Sequence, residues 1–372
     1  EAGFTITELL ITMVVFVLAI AAASQMFTGL LTQFKQQSKI AETNIEGVIG
    51  LEMLRQDIGH AGYGLPWTYS VAVPGYTEAV NDAATAHDDT QFNDSATNPP
   101  RAILNGNGIG VNGSDVLVIK SVNVARNDPS RKSTRLISTA PYVRTWTPAD
   151  ENLVGTDRGI VIRGGAGTSL RELVTGASLY TTYASVTGAP WLPSDATDNS
   201  IVYGINESTV SVPRTPFNRA DYYIRRPAAN MPSQCANDND IGILYKGTVN
   251  HGDGGLTELP LLDCVADMQV IYAMDNDEDG DFENGVGGDA FTNSLAGLTA
   301  VQIRTRVKAV EVYILAHEGQ RDPNFRFANF TAGACGATCV RVGRSDVLGR
   351  DFDLAAITDY LNYRWKVYTI VV

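Results

Sequence analysis

The sequence predicts an α+β protein, in which one long N-terminal α-helix is followed by a mostly antiparallel, β-rich globular head with long loop insertions. An apolar run at residues 9–31, free of charge and proline, continues into a segment with helical periodicity and indicates the helix. After Pro66, short β-branched and aromatic runs alternate with Gly, Asn, Asp and Pro clusters, which indicates strands. With 44% hydrophobic and 19% charged residues, the 372-residue chain can bury a sizeable core.

The apolar run from Leu9 to Leu31 is long enough to cross a membrane. As a helix it would measure about 34 Å, and the hydrocarbon core of a bilayer is about 30 Å thick. A cleaved secretory signal is the alternative, because residues 21–23 are alanines that resemble a small-residue cleavage site. The apolar run continues beyond these alanines, so a membrane-spanning helix is the preferred interpretation.

The second half of the predicted helix has one apolar face, because apolar residues recur every three or four positions. These residues are Val48, Leu51, Leu54, Ile58 and Ala61. A helix from Phe4 to Gly59 would be about 84 Å long. The helix end is predicted by a cluster of helix-breaking residues, which are Gly59, Gly62, Gly64 and Pro66. We therefore assign residues 4–62 to the helix, whose second half packs on a head formed by residues 63–372.

Eight runs in the head have the composition of strands. They are Asp115–Val124, Gly159–Arg163, Thr209–Val212, Asp221–Arg226, Ile241–Lys246, Val265–Met274, Thr305–His317 and Tyr363–Val372. The polar stretches Asn81–Pro100 and Gly164–Asn199 are predicted to be surface loop insertions.

Glu8 stands directly before the apolar run. A carboxylate deep in lipid is unfavourable, so Glu8 needs either a partner or a function. The alternative is that Glu8 only caps the helix N-terminus, where the macrodipole favours a negative charge.

The segment Gly3-Phe4-Thr5-Ile6-Thr7-Glu8-Leu9-Leu10 resembles the signature of the type IV pilin superfamily. The resemblance implies the type IV pilin fold, and cleavage between Gly3 and Phe4 by a prepilin peptidase that methylates the new Phe4 amine. Residues 1–3 would then be the remainder of the leader. In the filament, the Glu8 carboxylate would lie beside the α-amine of a neighbouring subunit, which is largely cationic at neutral pH. Gln25 stands where major pilins usually carry a proline. This difference weakens the interpretation as a major pilin and leaves the interpretation as a minor pilin unaffected.

Further motifs are similar to those of the large PilW-type minor pilins. They are Leu54–Ile58 with Ala61–Gly64, Gly113–Ile119, Tyr222–Ile224 with Leu244–Tyr245, Leu261–Tyr272 and Val307–Leu315. The similarity covers both ends and the middle of the chain and leaves the two insertions unmatched.

The resemblance implies a minor pilin that primes pilus assembly, joins a tip complex and has no enzymatic activity. Its partners would be other minor pilins, the major pilin and a PilY-type tip adhesin. It would be held in the bacterial inner membrane with its head in the periplasm and would later reach the extracellular pilus. Alternatives are a J-type minor pseudopilin of type II secretion, a membrane-tethered periplasmic calcium-binding adhesin or enzyme, and a major filament subunit.

An acidic run after the Val265–Met274 strand matches the first half of a calcium loop. Its candidate ligands are Asp275, Asp277, Asp279, Asp281 and Glu283, with Gly280 permitting the turn. The glutamate expected at the twelfth loop position is replaced by Val286, and Glu283 or Asp289 is a possible substitute. We expect one structural Ca²⁺ here, and the alternative is a solvated acidic turn.

The four cysteines fit two disulfides in an oxidising compartment. Four cysteines allow three connectivities, of which Cys235 with Cys264 and Cys335 with Cys339 is the simplest. Zinc is the rival interpretation, but the histidines are scattered and no Cys-x-x-Cys spacing occurs.

Other common functions have little support in the sequence. A net charge of −13 without a basic run argues against nucleic-acid binding. The glycine-rich segment Gly106–Gly113 leads into a strand and is predicted to be a hairpin loop or a strand-entry loop, since a dinucleotide fingerprint opens a helix. His317 and Glu318 are interpreted as exposed polar residues.

Overall fold

The computed structural model describes residues 5–69, 74–94, 96–164, 171–207, 212–331, 333–344 and 348–372. The helices are α1 (Ile6–Gly59) and α2 (Ala300–Arg306). The strands are β1 (Thr68–Tyr69), β2 (Ile103–Gly106), β3 (Val116–Ser121), β4 (Ser133–Leu136), β5 (Arg158–Gly164), β6 (Glu172–Val174), β7 (Thr181–Thr182), β8 (Asn199–Asn206), β9 (Asn218–Arg225), β10 (Gly242–Val249), β11 (Leu256–Met274), β12 (Ala290–Thr292), β13 (Val307–Glu318), β14 (Cys339–Gly343), β15 (Gly349–Asp353) and β16 (Arg364–Val371). The predicted α+β class is confirmed.

Helix α1 is one continuous element of 54 residues. Its first part, Ile6–Lys35, is long and apolar enough to span a membrane, and none of its most apolar window is buried in the chain. Leu51, Leu54 and Ile58 are buried, as the periodicity predicts. The same periodicity predicts that Val48 lies on this buried face. This prediction is wrong, because Val48 is 66% exposed.

Two glycines explain why Val48 faces outward. At this level α1 contacts β11 through Gly47 and Gly50, which are both buried. A Cβ on Gly50 would lie 2.1 Å from the backbone oxygen of Leu261, so only glycine allows the helix and the strand to approach so closely. One turn before Leu51, α1 therefore contacts the sheet through the backbone of its glycines, whereas from Leu51 onward it contacts the sheet through apolar side chains.

The larger sheet carries α1. Its strand order is β16-β13-β11-β10-β9-β3-β2, with β12 added to β11. Pairings within it are antiparallel. Leu54 and Ile58 of the helix join Tyr222, Leu244 and Val265 of the sheet in one buried apolar cluster. The predicted packing of the second half of the helix on the head is thus confirmed.

The smaller sheet lies beyond the turn that ends α1. Its order is β1-β6-β5-β8-β4, with β7 on β5, and only the pairing of β1 with β6 is parallel among the described strands. The hairpin of β14 and β15 covers a second apolar cluster, which includes both cysteines of one disulfide and Trp365. The prediction of mostly antiparallel sheets is confirmed.

Seven of the eight predicted strand runs fall on observed strands, with shifted ends. Residues 209–211 of the remaining run lie outside the described residues. The prediction that Thr305 and Arg306 belong to a strand is wrong, because these residues end α2. This helix begins with a capping box between Thr299 and Gln302. The Gly106–Gly113 segment does connect the antiparallel pair β2 and β3, as predicted.

The two polar insertions are rich in loops, as predicted, but parts of each are buried, which corrects the prediction that they lie on the surface throughout. Residues 164–199 contain β6, β7 and the start of β8, with Leu173 and Trp191 buried. Residues 81–100 include a short 3₁₀ helix, Asp89–Phe92, in which Asp89 and Phe92 are buried.

Buried ion pairs hold the first insertion in place. The Nζ atom of Lys120, on β3, lies 2.7 Å from Glu78 and 2.6 Å from Asp94. Arg219, on β9, lies 2.6 Å from Asp221 and 3.3 Å from Glu78. These cations neutralise Glu78, just before the insertion, and Asp94, within it, so this polar segment packs against the sheet.

Candidate functional site

The start of α1 carries the predicted assembly residue, Glu8. Thr5 is the N-cap residue, and its N–H and hydroxyl donate to the Glu8 carboxylate at 3.0 and 2.8 Å. The Glu8 N–H donates to the Thr5 hydroxyl at 3.4 Å, which completes a capping box. In the isolated chain Glu8 therefore caps the N-terminus of its own helix, which agrees with the interpretation of Glu8 as a helix cap. Gly3 and Phe4, the predicted processing residues, lie outside the described residues.

The surface that follows Glu8 is apolar on every side. Leu9, Phe16 and Ile20 are each at least half exposed, although they belong to a helix with no charge for several turns. A helix that is apolar all round is stable only when it is covered by lipid or by other helices. This half of α1 needs an environment that the chain itself does not supply.

The other half of α1 is fixed to the head by a buried charge cluster around Asp57. The Asp57 carboxylate accepts hydrogen bonds from Lys246, from the Tyr222 hydroxyl and from Arg126, the last at 2.9 Å. Asp57 and Lys246 are 4% and 3% exposed. Burial lowers the pKa of Lys246, and the Asp57 charge opposes that effect. The cluster joins the helix to β9 and β10.

Asp57 belongs to the Leu54–Ile58 motif, but the sequence motif alone does not predict its role as an anchor. The available signal was its position, because Asp57 lies on the apolar face between Leu54 and Ile58. A carboxylate on a buried helix face needs a cationic partner.

The acidic loop follows β11. The Asp275 carboxylate accepts from the N–H groups of Glu278 and Gly280 at 2.6 and 3.0 Å and lies 3.0 Å from the Lys308 ammonium. The Asp289 carboxylate accepts from the N–H groups of Asn276 and Glu283, at 2.7 and 3.0 Å. Two buried acids thus organise the backbone of the loop.

The structure brings together only part of the predicted calcium set. One carboxylate oxygen from each of Asp275, Asp277 and Asp289 lies within 4.8 Å of the others. Asp279 instead accepts from the N–H of Asp281 at 3.0 Å, and Asp281 is exposed. Glu283 contributes its N–H to Asp289, and its carboxylate is not part of the cluster among the described residues. Asp289, one of the two substitutes that the sequence offers, takes the place of the glutamate expected at the twelfth loop position.

The two disulfides are present as Cys235–Cys264 and Cys335–Cys339. This confirms the simplest of the three connectivities and leaves no thiol for a zinc site. The first bridge attaches the loop before β10 to the middle of β11, and the second closes the turn before β14.

His317 is buried, so its interpretation as an exposed residue is wrong. Its Nε2 atom accepts from the N–H of Ala236 at 3.0 Å, and its ring lies against Tyr363 and Trp365. Burial lowers the pKa of His317 to about 3, so the imidazole is neutral at physiological pH. The hairpin of β14 and β15 covers this face of β13, which the local sequence does not reveal.

Two further buried acids lie where β3 and β11 meet. Asp115 accepts from the N–H groups of Gly108 and Val270, both at 2.8 Å. Asp267 accepts from the Gln269 amide at 3.0 Å, and its Oδ2 atom has no hydrogen-bond partner among the described residues. Burial raises the pKa of Asp115 to about 6 and that of Asp267 to about 7.

Asp267 makes stability depend on pH. Because its folded-state pKa of about 7 exceeds the unfolded value of about 3.9, the folded protein holds the proton more tightly and loses stability as the pH rises between these values. We expect Asp267→Asn to be more stable than the parent at pH 8, with the difference shrinking toward pH 4. Thermal melts across this range check it, with the exposed Asp150→Asn as control. A difference that does not change with pH would contradict the assignment.

No protein-family model, curated protein or solved structure matches this chain.

Proposed function

We propose that this chain is a PilW-type minor subunit of a type IV pilus, which primes pilus assembly and joins the tip complex. The observation that supports this most is the division of α1 into two halves. The first half exposes apolar side chains in all directions, and the second half is anchored in the head by Leu54, Asp57 and Ile58. Such a helix can leave lipid and enter a bundle of other helices without rearrangement of the head.

The length of α1 supports the same proposal. At about 1.5 Å per residue, its 54 residues extend about 81 Å, far more than the head requires for packing. Before assembly, Ile6–Lys35 would lie in the bacterial inner membrane with the head in the periplasm. After assembly, the same segment would lie among the helices of other minor pilins and the major pilin, and the head would contact a PilY-type tip adhesin.

Glu8 would exchange partners on assembly. In the isolated chain its carboxylate is satisfied by Thr5. When the helix leaves lipid, the α-amine of a neighbouring subunit, freed by cleavage before Phe4, would neutralise the carboxylate. Neutralisation offsets the desolvation of both charges in the filament interior.

Deletion of the gene for this chain tests the proposal. We expect the deletion strain to lose surface pili and to keep type II secretion, and complementation to restore pili that contain the chain in small amounts. Intact piliation together with lost secretion would instead favour a J-type pseudopilin. Abundance equal to that of the main subunit in sheared pili would favour a major pilin.

We further propose that the acidic loop binds one structural Ca²⁺. The donor set fits, because the oxygens of Asp275, Asp277 and Asp289 converge and Ca²⁺ takes carboxylate oxygen ligands. Lys308 would give up part of its contact with Asp275 when the cation binds. The ion would fix the loop between β11 and β12.

Calcium titration checks this site. We expect calcium in the roughly millimolar range of extracellular sites to raise the melting temperature of the parent, and a chelator to reverse the effect. Asp277→Asn should abolish the response. The control Asp281→Asn alters an exposed acid outside the cluster and should keep it. No heat and no stabilisation with the parent protein would exclude the site.

A further inference from the structure

A cavity of about 350 Å³ lies where α1 ends. Its walls come from the last turn of α1, the turn around Trp67, helix α2, the start of β13 and the residue before β6. Ile58, Leu65 and Ile303 supply apolar surface. Ligand cavities measure about 300–1,000 Å³, so this one suits a compact ligand.

Two guanidinium groups meet at one indole on the wall of this cavity. Arg304 of α2 lies over the Trp67 ring at 4.1 Å, and Arg171 lies 5.9 Å from the same ring. Arg171 also donates to the Tyr203 hydroxyl at 3.2 Å. No Asp or Glu side chain lies beside these two guanidinium groups on the cavity wall, in the part of the chain that the structure describes.

The lack of an acidic side chain among the described residues that line the cavity is informative, because the chain has an excess of acids and a net charge of −13. The one other described cation that lines the cavity, Lys308, is paired, because its ammonium lies 3.0 Å from the Asp275 carboxylate. A guanidinium that lies on an aromatic face keeps its N–H donors free along its edge. These donors match the two oxygens of a carboxylate.

We propose that this cavity binds a carboxylate carried on an apolar or aromatic group. The apolar group lies against Ile58, Leu65 and Ile303, and the carboxylate accepts hydrogen bonds from Arg304 and Arg171. Arg171 precedes a strand of the smaller sheet, whereas Ile303 and Arg304 belong to the helix before β13 of the larger sheet. The bound ligand therefore links the two sheets at the end of α1.

Binding can be measured by calorimetry on the full chain in a neutral maltoside detergent. The probes are 3-phenylpropionate and its uncharged analogue 3-phenylpropionamide. We expect the acid to bind and the amide to bind at least about tenfold more weakly, because a hydrogen bond to a charged group contributes about 1.5–3 kcal/mol. Equal binding of 3-phenylpropionate and its amide would overturn the proposal.

Variants on one helix supply the matched control. Arg304→Gln should weaken binding of the acid at least about tenfold. Arg306→Gln removes a guanidinium that instead pairs with Glu278 at 2.8 Å and should leave binding unchanged. Arg171→Gln is the second test variant and should likewise weaken binding of the acid. Unchanged melting curves would show that each variant is folded. Equal losses in Arg304→Gln and Arg306→Gln would contradict the site.

The carboxylate could come from a small molecule or from the C-terminus of a protein chain. A tetrapeptide ending in phenylalanine, compared with its C-terminal amide, separates these sources. Binding of the free-acid peptide more tightly than 3-phenylpropionate assigns the cavity to a protein C-terminus, and weaker binding assigns it to a small carboxylate. Failure of both acids overturns the inference and leaves the proposed pilus function untouched, because that function depends on α1 and Glu8.

Discussion

Replacing Glu8 by alanine should block entry of the chain into the filament while leaving its insertion in the membrane intact. The apolar segment that follows Glu8 determines insertion, and the substitution does not alter it. Assembly, in contrast, would leave a neighbour's α-amine charged and unpaired inside the filament. We expect the amount of the chain in sheared pili to fall at least about tenfold, with an unchanged amount in the membrane fraction.

Two control variants separate charge from helix capping. Glu8→Gln keeps a residue that can complete the capping box but carries no charge, and it should fail like alanine. Thr5→Ala removes the cap observed in the structure and keeps the carboxylate, so it should still assemble. Normal incorporation of Glu8→Gln would show that Glu8 acts only as a cap and would contradict the charge mechanism.

Replacing Asp57 by alanine should cause a large loss of stability in the head. The substitution leaves the Lys246 ammonium buried without its carboxylate, and breaking a buried ion pair from one side costs about 3–5 kcal/mol. Denaturant unfolding followed by near-ultraviolet circular dichroism would measure the free energy of unfolding. Because loss of Asp57 disfavours the charged form of Lys246 further, the deficit should shrink as the pH rises and the lysine becomes neutral.

The control for this prediction is an ion pair whose carboxylate is exposed. Asp128 lies 2.6 Å from Lys132, and its side chain is 66% exposed. Asp128→Ala should change the free energy of unfolding by less than about 1 kcal/mol. The double variant Asp57→Leu with Lys246→Met, which removes both buried charges, should recover part of the loss. Equal effects of Asp57→Ala and Asp128→Ala would contradict the role of the anchor.

The sequence predicts α1 and most of the larger sheet because these elements are defined by local patterns. Leu51, Leu54 and Ile58 follow the helical spacing, and residues 265–274 form an unbroken strand run. Val48 fits the same spacing and yet faces solvent. The reason is a glycine contact between Gly50 and a strand more than 200 residues away, which no local pattern records.

The errors in the insertions have a related physical cause. Residues 81–100 are polar in sequence, and polarity predicts solvent exposure. Glu78, just before this segment, and Asp94, within it, are neutralised by Lys120 and Arg219, which belong to strands distant in the sequence. Burial of a charge depends on such a partner, and a single sequence does not identify it.

The acidic loop shows the same limit within a shorter segment. The spacing of Asp275 and Asp277 predicts two carboxylates that converge, and the structure has them together. The alternating pattern also predicts Asp279 and Asp281 as ligands, but neither side chain lies in the cluster among the described residues. Asp289 joins the cluster because the loop closes on β12, which depends on the pairing of β11 with β12.

The state of the N-terminus of the protein isolated from cells tests the central claim most directly. Intact-mass and N-terminal peptide mass spectrometry would determine which residue comes first and whether its amine is modified. The proposal predicts that the chain begins at Phe4 and that the Phe4 amine carries one methyl group. A functional protein that still contains Glu1, Ala2 and Gly3 would have no amine at the required position and would contradict the proposal.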